Sequence, residues 1–309
     1  MKIFTTLDSI NNDRECAISL GLFDGLHKAH QAVIASAVES GLVPAVFTFT
    51  MNSSLPASKK GFAPLMTVQE RVDGIRDLGA ELLLMPDFSE FSTLSAEAFV
   101  EDVLFARMKA KMLCCGFDFR FGKGNSGDVS LLKALCDKHN AELRVVDCVR
   151  ENGKAVSSSA VRTALGEGDM KTYYDMCGRF FSVKSAVIHG RRLGSRMNFP
   201  TINQPLDPEL LAPRFGVYAS LAHIDGKAYP SVTNVGTKPT VSTDSSVLAE
   251  TNIFEFDGDL YEKSVRVELV EFLRPEQKFP STEELRIAIA ADRKAAENYF
   301  KFHFKDRQS

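Results

Sequence analysis

The first half of the chain alternates short apolar runs with segments of helical spacing. Cys16–Leu20 is an apolar run that ends at Gly21, and the stretch from Lys28 to Glu39 that follows it has a helical pattern. Strands alternating with helices of this size predict βαβ units on a parallel sheet, which binds ligands beyond the carboxyl ends of its strands. The same alternation predicts further strands at 45–49, 82–85, 111–115 and 143–149, and helices at 67–78, 95–108 and 131–139.

The pattern changes after about Arg179, where strand-like segments follow one another without intervening helices. Asp225-Gly226 and Asp257-Gly258 mark turns between them, and Ser281 with Glu284 forms a capping box for a closing helix that runs to about residue 300. Regularly spaced short strands predict a small antiparallel barrel. The strand-like segments are at 181–188, 217–224, 229–235, 247–256 and 265–272.

These two patterns predict an α/β protein with two domains, at 1–165 and 181–309, joined by a helical linker at 166–180. A length of 309 residues suits two cores. The net charge of −3 provides no broad positive field for nucleic acid, so an anionic substrate must be met by local groups. No apolar run is long enough to span a bilayer, and the six cysteines lack C-x-x-C spacing. We therefore expect a cytoplasmic protein with reduced thiols and no membrane partner.

The sharpest motif follows the first apolar run and opens the first helix. It reads G-L-F-D-G-L-H-K-A-H over residues 21–30, with Gly21 and Gly25 able to approach a ligand closely. His27 and His30 are three apart, so their imidazoles share a helical face and can stabilise charge on a phosphoryl group. A bare H-x-x-H pair usually lies on the surface or caps a helix, but the strand–Gly–Asp–Gly–His–helix context favours phosphate chemistry.

Two other loops of the first half carry candidate ligand groups. Residues 116–128 leave a strand with four glycines, and Asp118, Phe119 and Phe121 lie where the loop could hold a flavin or a nucleotide phosphate; otherwise it is a long turn. Residues 157–162 read S-S-S-A-V-R. Serines at a helix start are first of all N-caps, but with an arginine one turn later they also suit ATP phosphates.

The second half contains a glycine- and arginine-rich segment at 190–203. Composition alone favours a basic surface loop, although backbone N–H groups there could cradle phosphates. Thr201 and Asn203 offer hard oxygen ligands suited to Mg²⁺. Glu250 lies in an alternating apolar strand, where a lone glutamate is usually on the solvent face.

Together these motifs resemble the bacterial bifunctional riboflavin kinase/FAD synthetase family over nearly the whole chain. The family patterns G-x-F-D-G-x-H-x-G-H, G-x-D-F-x-F-G-K and S-S-T-x-I-R match the first half in order. The second half resembles F-P-T-A-N at 199–203, N-V-G-x-x-P-T at 234–240, E-T-H at 250–252, the start of the D-L-Y-G turn at 259–261, and L-R-x-E-x-K-F at 273–279.

The resemblance implies a Rossmann-like nucleotidyltransferase domain followed by a riboflavin kinase barrel. It implies that the chain phosphorylates riboflavin to FMN and adenylylates FMN to FAD, with Mg²⁺ and ATP in both reactions. His27 and His30 would act in adenylyl transfer, and Glu250 would be the general base of the kinase. Thr201 and Asn203 would bind the metal, and Asp118, Phe119 and Phe121 the flavin. The implied nucleotide-binding residues are Gly21, Phe23, Asp24, Gly25, Ser157, Ser158, Arg162, Gly190 and Asn234.

Departures from the family patterns keep other interpretations open. Ala29 replaces a glycine, and T-F-x-P-H-P is replaced by T-F-T-M-N-S at 48–53. In the kinase motif, Ser195 and Asn198 stand where the family has Arg and Gly. The alternatives are a monofunctional riboflavin kinase with a degenerate first domain, a flavin-binding regulator without turnover, and another nucleotidyltransferase.

Overall fold

The structure is a computed structural model that describes residues 1–51, 63–189, 200–238 and 246–303. The chain divides into two compact units, Met1–Ser158 and Ser159–Ser309. None of the helices in these described ranges is long and apolar enough to cross a membrane. Gly190 and most of the glycine- and arginine-rich segment, like Pro239 and Thr240, lie outside the described residues.

The first unit is built on a six-stranded parallel sheet, as the alternating pattern predicts. Its strand order is β1-β4-β3-β2-β5-β6, and a short β7–β8 hairpin follows. Apolar side chains cover both faces, because Ile18 and its neighbour Ala17 belong to different core clusters. The strands are β1 (Lys2–Phe4), β2 (Cys16–Leu20), β3 (Val43–Phe47), β4 (Leu82–Leu84), β5 (Ala110–Gly116), β6 (Glu142–Val146), β7 (Arg150–Glu151) and β8 (Lys154–Ala155).

Four helical segments connect these strands: α1 (Lys28–Val38), α2 (Val68–Asp77), α3 (Ala96–Ala98) and α4 (Val129–Lys138). The capping box predicted at Thr67 and Glu70 is present, with each side chain accepting from the other residue's backbone N–H. α3 continues as a π-helix over Phe99–Arg107, where the pattern predicts ordinary helix. Phe99, Val103 and Met108 are buried at spacings of four and five residues, which suits this wider winding.

The second unit begins with two helices, α5 (Ser158–Glu167) and α6 (Met170–Cys177), the first of which starts at the boundary between the units. The predicted linker segment 166–180 therefore contains the end of one helix and the whole of the next. The break lies at Gly168, whose φ of +76° favours glycine and whose added Cβ would lie 3.1 Å from the Phe272 ring. Asp169 then caps α6 by accepting the Thr172 N–H. The domain boundaries themselves stay a prediction.

The rest of the second unit is a six-stranded antiparallel barrel with a terminal helix, α7 (Thr282–His303), as predicted. Neighbouring strands follow the order β10-β13-β12-β11-β14-β9. Asp292, Ala296 and Phe300 are buried on one face of α7, and the last two pack with Val217. The strands are β9 (Phe181–Ala186), β10 (Ile202–Pro205), β11 (Gly216–Ile224), β12 (Lys227–Lys238), β13 (Ser246–Ile253) and β14 (Ser264–Pro275).

A single side chain helps to close this barrel between its first and last strands. Gln204 of β10 is fully buried, and its Nε2 donates to the carbonyl oxygens of Ser185 at 2.8 Å and Val265 at 2.7 Å. The only backbone bridge recorded between these edges in the described ranges joins Ile188 to Asn203. The Gln204 amide thus supplies hydrogen bonds that a longer ladder would otherwise make.

Candidate active sites

The strand order of the parallel sheet places the predicted loops at 21–30 and 116–128 beside each other at the carboxyl ends of the strands. Strand order reverses between β2 and β5, and ligands of such sheets bind at this switch point beyond the carboxyl ends. Ser19 of β2 pairs with Cys114 of β5, so the chain leaves the two strands side by side at Gly21 and Gly116. The motif at 21–30 and the loop at 116–128 therefore begin next to each other.

The loop after β2 adopts an unusual backbone conformation. Phe23, Gly25 and Leu26 have φ values of +56°, +81° and +41°. Such values are uncommon for residues other than glycine and cost of order 1–3 kcal/mol each. Strain of this kind is concentrated at ligand-binding sites, which supports a functional role for the loop.

The two imidazoles of the motif lie against each other at the start of α1. His27 is the N-cap of the helix, and its Nδ1 accepts the His30 N–H at 3.3 Å. The two rings stack with centroids 3.6 Å apart. The buried Phe23 ring meets the His30 ring edge-on, with centroids 5.3 Å apart. This contact restricts the orientation of the His30 imidazole.

The side chains of Phe23 and Asp24 are both used inside the protein. Phe23 is buried, and Asp24 accepts the Leu65 N–H at 2.9 Å through Oδ1. Their contribution to the loop is therefore to hold its backbone in place. Ala29, which replaces a family glycine, lies within α1, where an alanine is well tolerated.

A buried arginine supports the same loop and was not predicted. Arg71 of α2 donates from Nη1 to the Leu22 carbonyl at 2.9 Å and from Nη2 to the Phe49 carbonyl at 3.0 Å. Thr48 donates to the same Leu22 carbonyl at 2.8 Å. Burial lowers the pKa of Arg71, and the nearby Asp24 carboxylate opposes that shift. An arginine in a capping-box helix is usually on the surface, so no pattern in the sequence indicates this contact.

The β7–β8 hairpin brings the predicted serines to the histidine motif. Ser158 Oγ lies 3.3 Å from His27 Nε2, and Glu151 of β7 pairs with Lys28 at 2.7 Å. His27 and Lys28, at the start of α1, thus contact the segment 151–158, which contains Ser157 and Ser158. Arg162 follows one turn later on α5, in the part of the chain that groups with the second unit.

The loop after β5 contains aromatic residues in different environments. Phe121 belongs to the hydrophobic core, and Phe119 is half-buried and stacks on it with centroids 5.6 Å apart. Asp118 is exposed, and Phe117 is 54% exposed. Phe117 is thus the most exposed aromatic ring of this loop, and it was not among the residues predicted from the sequence. The structure gives Phe121 a packing role.

In the second unit, three of the predicted residues form a row across adjacent strands. Asn203 of β10 pairs with Glu250 of β13, and Glu250 pairs with Asn234 of β12. Residues directly opposite one another in an antiparallel sheet have side chains on the same face. The half-buried Glu250 therefore lies between two amides, and Thr201 stands two residues before Asn203, immediately before β10.

Asn203 fits a role as a metal ligand. Its side chain is 5% exposed, and its Oδ1 has no hydrogen-bond partner among the described residues. A buried carbonyl oxygen without a donor is costly, and a hard cation such as Mg²⁺ would satisfy it. Within the same ranges, no cluster of three or more His, Cys, Asp or Glu residues could hold a metal by itself. Mg²⁺ that arrives with substrate phosphates needs only one or two protein ligands.

Comparison with known proteins covers both units. The family model described as riboflavin kinase matches residues 177–300, and the one described as FAD synthetase matches residues 9–160. The bifunctional riboflavin kinase/FMN adenylyltransferase of Bacillus subtilis (strain 168) is 33% identical over 292 residues, which is 92% of each chain. The protein of that name from Escherichia coli (strain K12) is also 33% identical, over 92% of this chain and 93% of its own.

A solved structure matches almost the entire chain. It is named a macrolide-efflux protein from Streptococcus pneumoniae, and it superposes with a TM-score of 0.85 at 28% identity, over 96% of this chain and 98% of that one. The order of the motifs, the two folds and the identity to relatives over more than nine-tenths of their length all agree. The chain belongs to the bifunctional riboflavin kinase/FMN adenylyltransferase family.

Proposed function

We propose that this chain carries both activities of its family, one in each compact unit. The barrel phosphorylates riboflavin to FMN with ATP, and the parallel-sheet unit adenylylates FMN to FAD with a second ATP. The row formed by Asn203, Glu250 and Asn234 is the observation that supports this proposal most strongly. It puts one carboxylate between two amides on a single face, which a merely solvated glutamate would not require.

In the kinase reaction, Glu250 acts as the general base. Its carboxylate accepts the proton of the ribityl 5′-hydroxyl while that oxygen bonds to the γ-phosphorus of ATP and ADP leaves. Thr201 and Asn203 would hold Mg²⁺, which when bound neutralises charge on the ATP phosphates. Asn234, on the other side of Glu250, can donate to a nucleotide oxygen from the same face.

In the adenylylation reaction, an FMN phosphate oxygen attacks the α-phosphorus of ATP and pyrophosphate leaves. His27 and His30 donate hydrogen bonds to the phosphates, and their stacking fixes both rings before the substrate arrives. Gly21 and Gly25 let the backbone approach the phosphates, while Phe23 and Asp24 hold that backbone in place. Asp118, Phe119 and the exposed Phe117 offer a surface for the flavin at the switch point.

The test is to incubate the purified protein with riboflavin and Mg-ATP and to separate the flavins by chromatography. We expect FMN first and FAD later, with pyrophosphate released in proportion to FAD. FMN without FAD would show a monofunctional kinase. Binding of riboflavin without any product would show a regulator, and either result would reject the two-activity proposal.

A further inference from the structure

An arginine of the terminal helix contacts the strand that carries Glu250. Arg293 of α7 donates from Nη1 to Asn252 Oδ1 at 3.4 Å, and its guanidinium lies 4.7 Å from the centre of the Phe254 ring. Glu297 holds the other side of the same guanidinium, accepting from Nε at 2.9 Å. Three contacts therefore fix the position of this charge, although its side chain is partly exposed.

Asn252 connects this arginine to the segment that precedes the proposed metal ligands. Its side chain is 3% exposed, and its Nδ2 donates to the Pro200 carbonyl at 2.7 Å. The β10–β13 ladder begins at the pair of Ile202 and Thr251, so Pro200 lies just beyond it. The Asn252 side chain thus continues the attachment of the chain to β13 past the last backbone pair. Thr201 is held between these two attachments.

The arginine determines which way the asparagine amide points. Arg293 can only donate hydrogen bonds, so it requires an acceptor, and Asn252 Oδ1 is turned toward it. The amide nitrogen is then turned toward the Pro200 carbonyl, which can only accept. Rotating the amide by half a turn would place two donors together at Arg293 and two acceptors together at Pro200.

We propose that Arg293 and Asn252 are positioning residues of the kinase site: they orient the Pro200–Thr201 segment for binding of Mg-ATP. This inference rests on the proposed function. Asn252 lies two residues after Glu250 on the same face of β13, so the same strand carries the base and the anchor of the metal-binding segment. Neither residue touches the reacting atoms in this proposal. Their loss should therefore change the affinity for Mg-ATP more than the chemical step.

The experiment compares Arg293→Met, Arg293→Lys and Asn252→Asp with the wild type in the full-length protein. Met keeps an apolar stem without a donor. Lys keeps a donor, and Asp keeps the acceptor for Arg293 but has no N–H for the Pro200 carbonyl. The matched control is Arg286→Met on the same helix, where Arg286 forms an exposed pair with Glu283. The Arg274–Asp292 ion pair, which joins α7 to β14, is untouched by these substitutions.

We expect Arg293→Met and Asn252→Asp to raise the KM for Mg-ATP by about tenfold or more, with the KM for riboflavin changed less than about twofold. Arg293→Lys should fall between Arg293→Met and the wild type, and Arg286→Met should match the wild type. FMN adenylylation on the same preparations checks that the protein is intact. A wild-type KM for Mg-ATP in Arg293→Met, or a lower melting temperature as its only effect, would overturn the inference. A wild-type protein that forms no FMN would reject the proposed function itself, and this inference with it.

Discussion

Asn203 lies directly opposite Glu250 in the antiparallel ladder of β10 and β13. Cβ atoms of such pairs are about 5 Å apart, so the proposed metal ligand and the proposed base project side by side. The attacking hydroxyl and the ATP phosphates must also meet within bonding distance. The spacing of this cross-strand pair thus matches the short distance that the proposed kinase reaction requires between its base and its metal-bound phosphates.

The first prediction concerns the carboxylate of this pair. Glu250→Gln keeps size and polarity but cannot accept the hydroxyl proton, so kcat for riboflavin phosphorylation should fall by roughly 10²–10⁴. The KM for riboflavin and for ATP should change little, since no binding contact is removed. Steady-state kinetics and an FMN-to-FAD assay on the same sample measure both units. The exposed Glu209→Gln is the matched control. A wild-type kcat in Glu250→Gln would show that another residue is the general base.

The second prediction separates the observed role of His27 as a helix cap from its proposed role as a phosphate ligand. Asparagine is a good N-cap, so His27→Asn should keep α1 intact while losing the imidazole. FAD formation should fall by about 10²–10³ with FMN formation unchanged. His27→Ala should lose about 1 kcal/mol of stability in addition. His139→Asn, in the same unit and away from this loop, is the control. Normal FAD formation in His27→Asn would show that His27 acts only as a helix cap.

The third prediction distinguishes the aromatic residues after β5. Phe121→Ala removes a core ring and should lower the free energy of unfolding by about 3–5 kcal/mol. Phe117→Ala removes an exposed ring, so its stability should stay within about 0.5 kcal/mol of the wild type. We expect Phe117→Ala to raise the KM for FMN in the adenylylation assay. Denaturant titration and FMN kinetics measure the two effects, and an unchanged KM would remove Phe117 from the flavin surface.

The fourth prediction concerns the pH dependence of the cysteines. Burial raises the pKa of Cys16 and Cys136 to about 11 and that of Cys114 and Cys115 to about 12, from an ordinary value of 9.0. The neutral thiol is favoured by folding, so stability is retained below pH 9 and falls as pH rises toward 11–12. At pH 8 in the native state, iodoacetamide should modify the half-buried Cys148 and spare the buried thiols.

Mass spectrometry of the alkylated protein measures this selectivity. Denatured protein should be modified at all six cysteines, and urea titrations between pH 8 and pH 11 should show a decreasing midpoint. Native alkylation of Cys114 at the rate of Cys148 would contradict the burial effect.

Much of the fold could be predicted from the sequence because its signals are local. The capping box at Thr67 and the Ser281 hydroxyl, which accepts the Glu284 N–H, start helices where expected, and apolar runs bounded by glycine become strands. Elements without a local signal depend on pairing between strands. β10 contains Asn203, Gln204 and Pro205, which read as a loop, and it becomes a strand because β13 offers it a ladder.

The site could be predicted only as a set of motifs. His27, His30, Ser158 and Glu250 were identified from the sequence, and the structure shows the stacking of the imidazoles and the pairing of Glu250 with Asn203. Arg71 could not be found, because the carbonyl groups that it holds are distant in sequence. Such contacts form only when distant parts of the chain come together in the folded protein, and no local sequence pattern indicates them.

By helping to close the barrel, the Gln204 side chain also limits the length of strand edge that is open to another chain. An open barrel exposes two strand edges, each with unpaired N–H and C=O groups that can recruit another chain. With Gln204 in place, the edges of β9 and β10 are held to each other within one molecule. We expect that replacing this one amide would do more than remove two hydrogen bonds, because it would weaken the attachment between these edges and leave more of their N–H and C=O groups open to a strand of another copy.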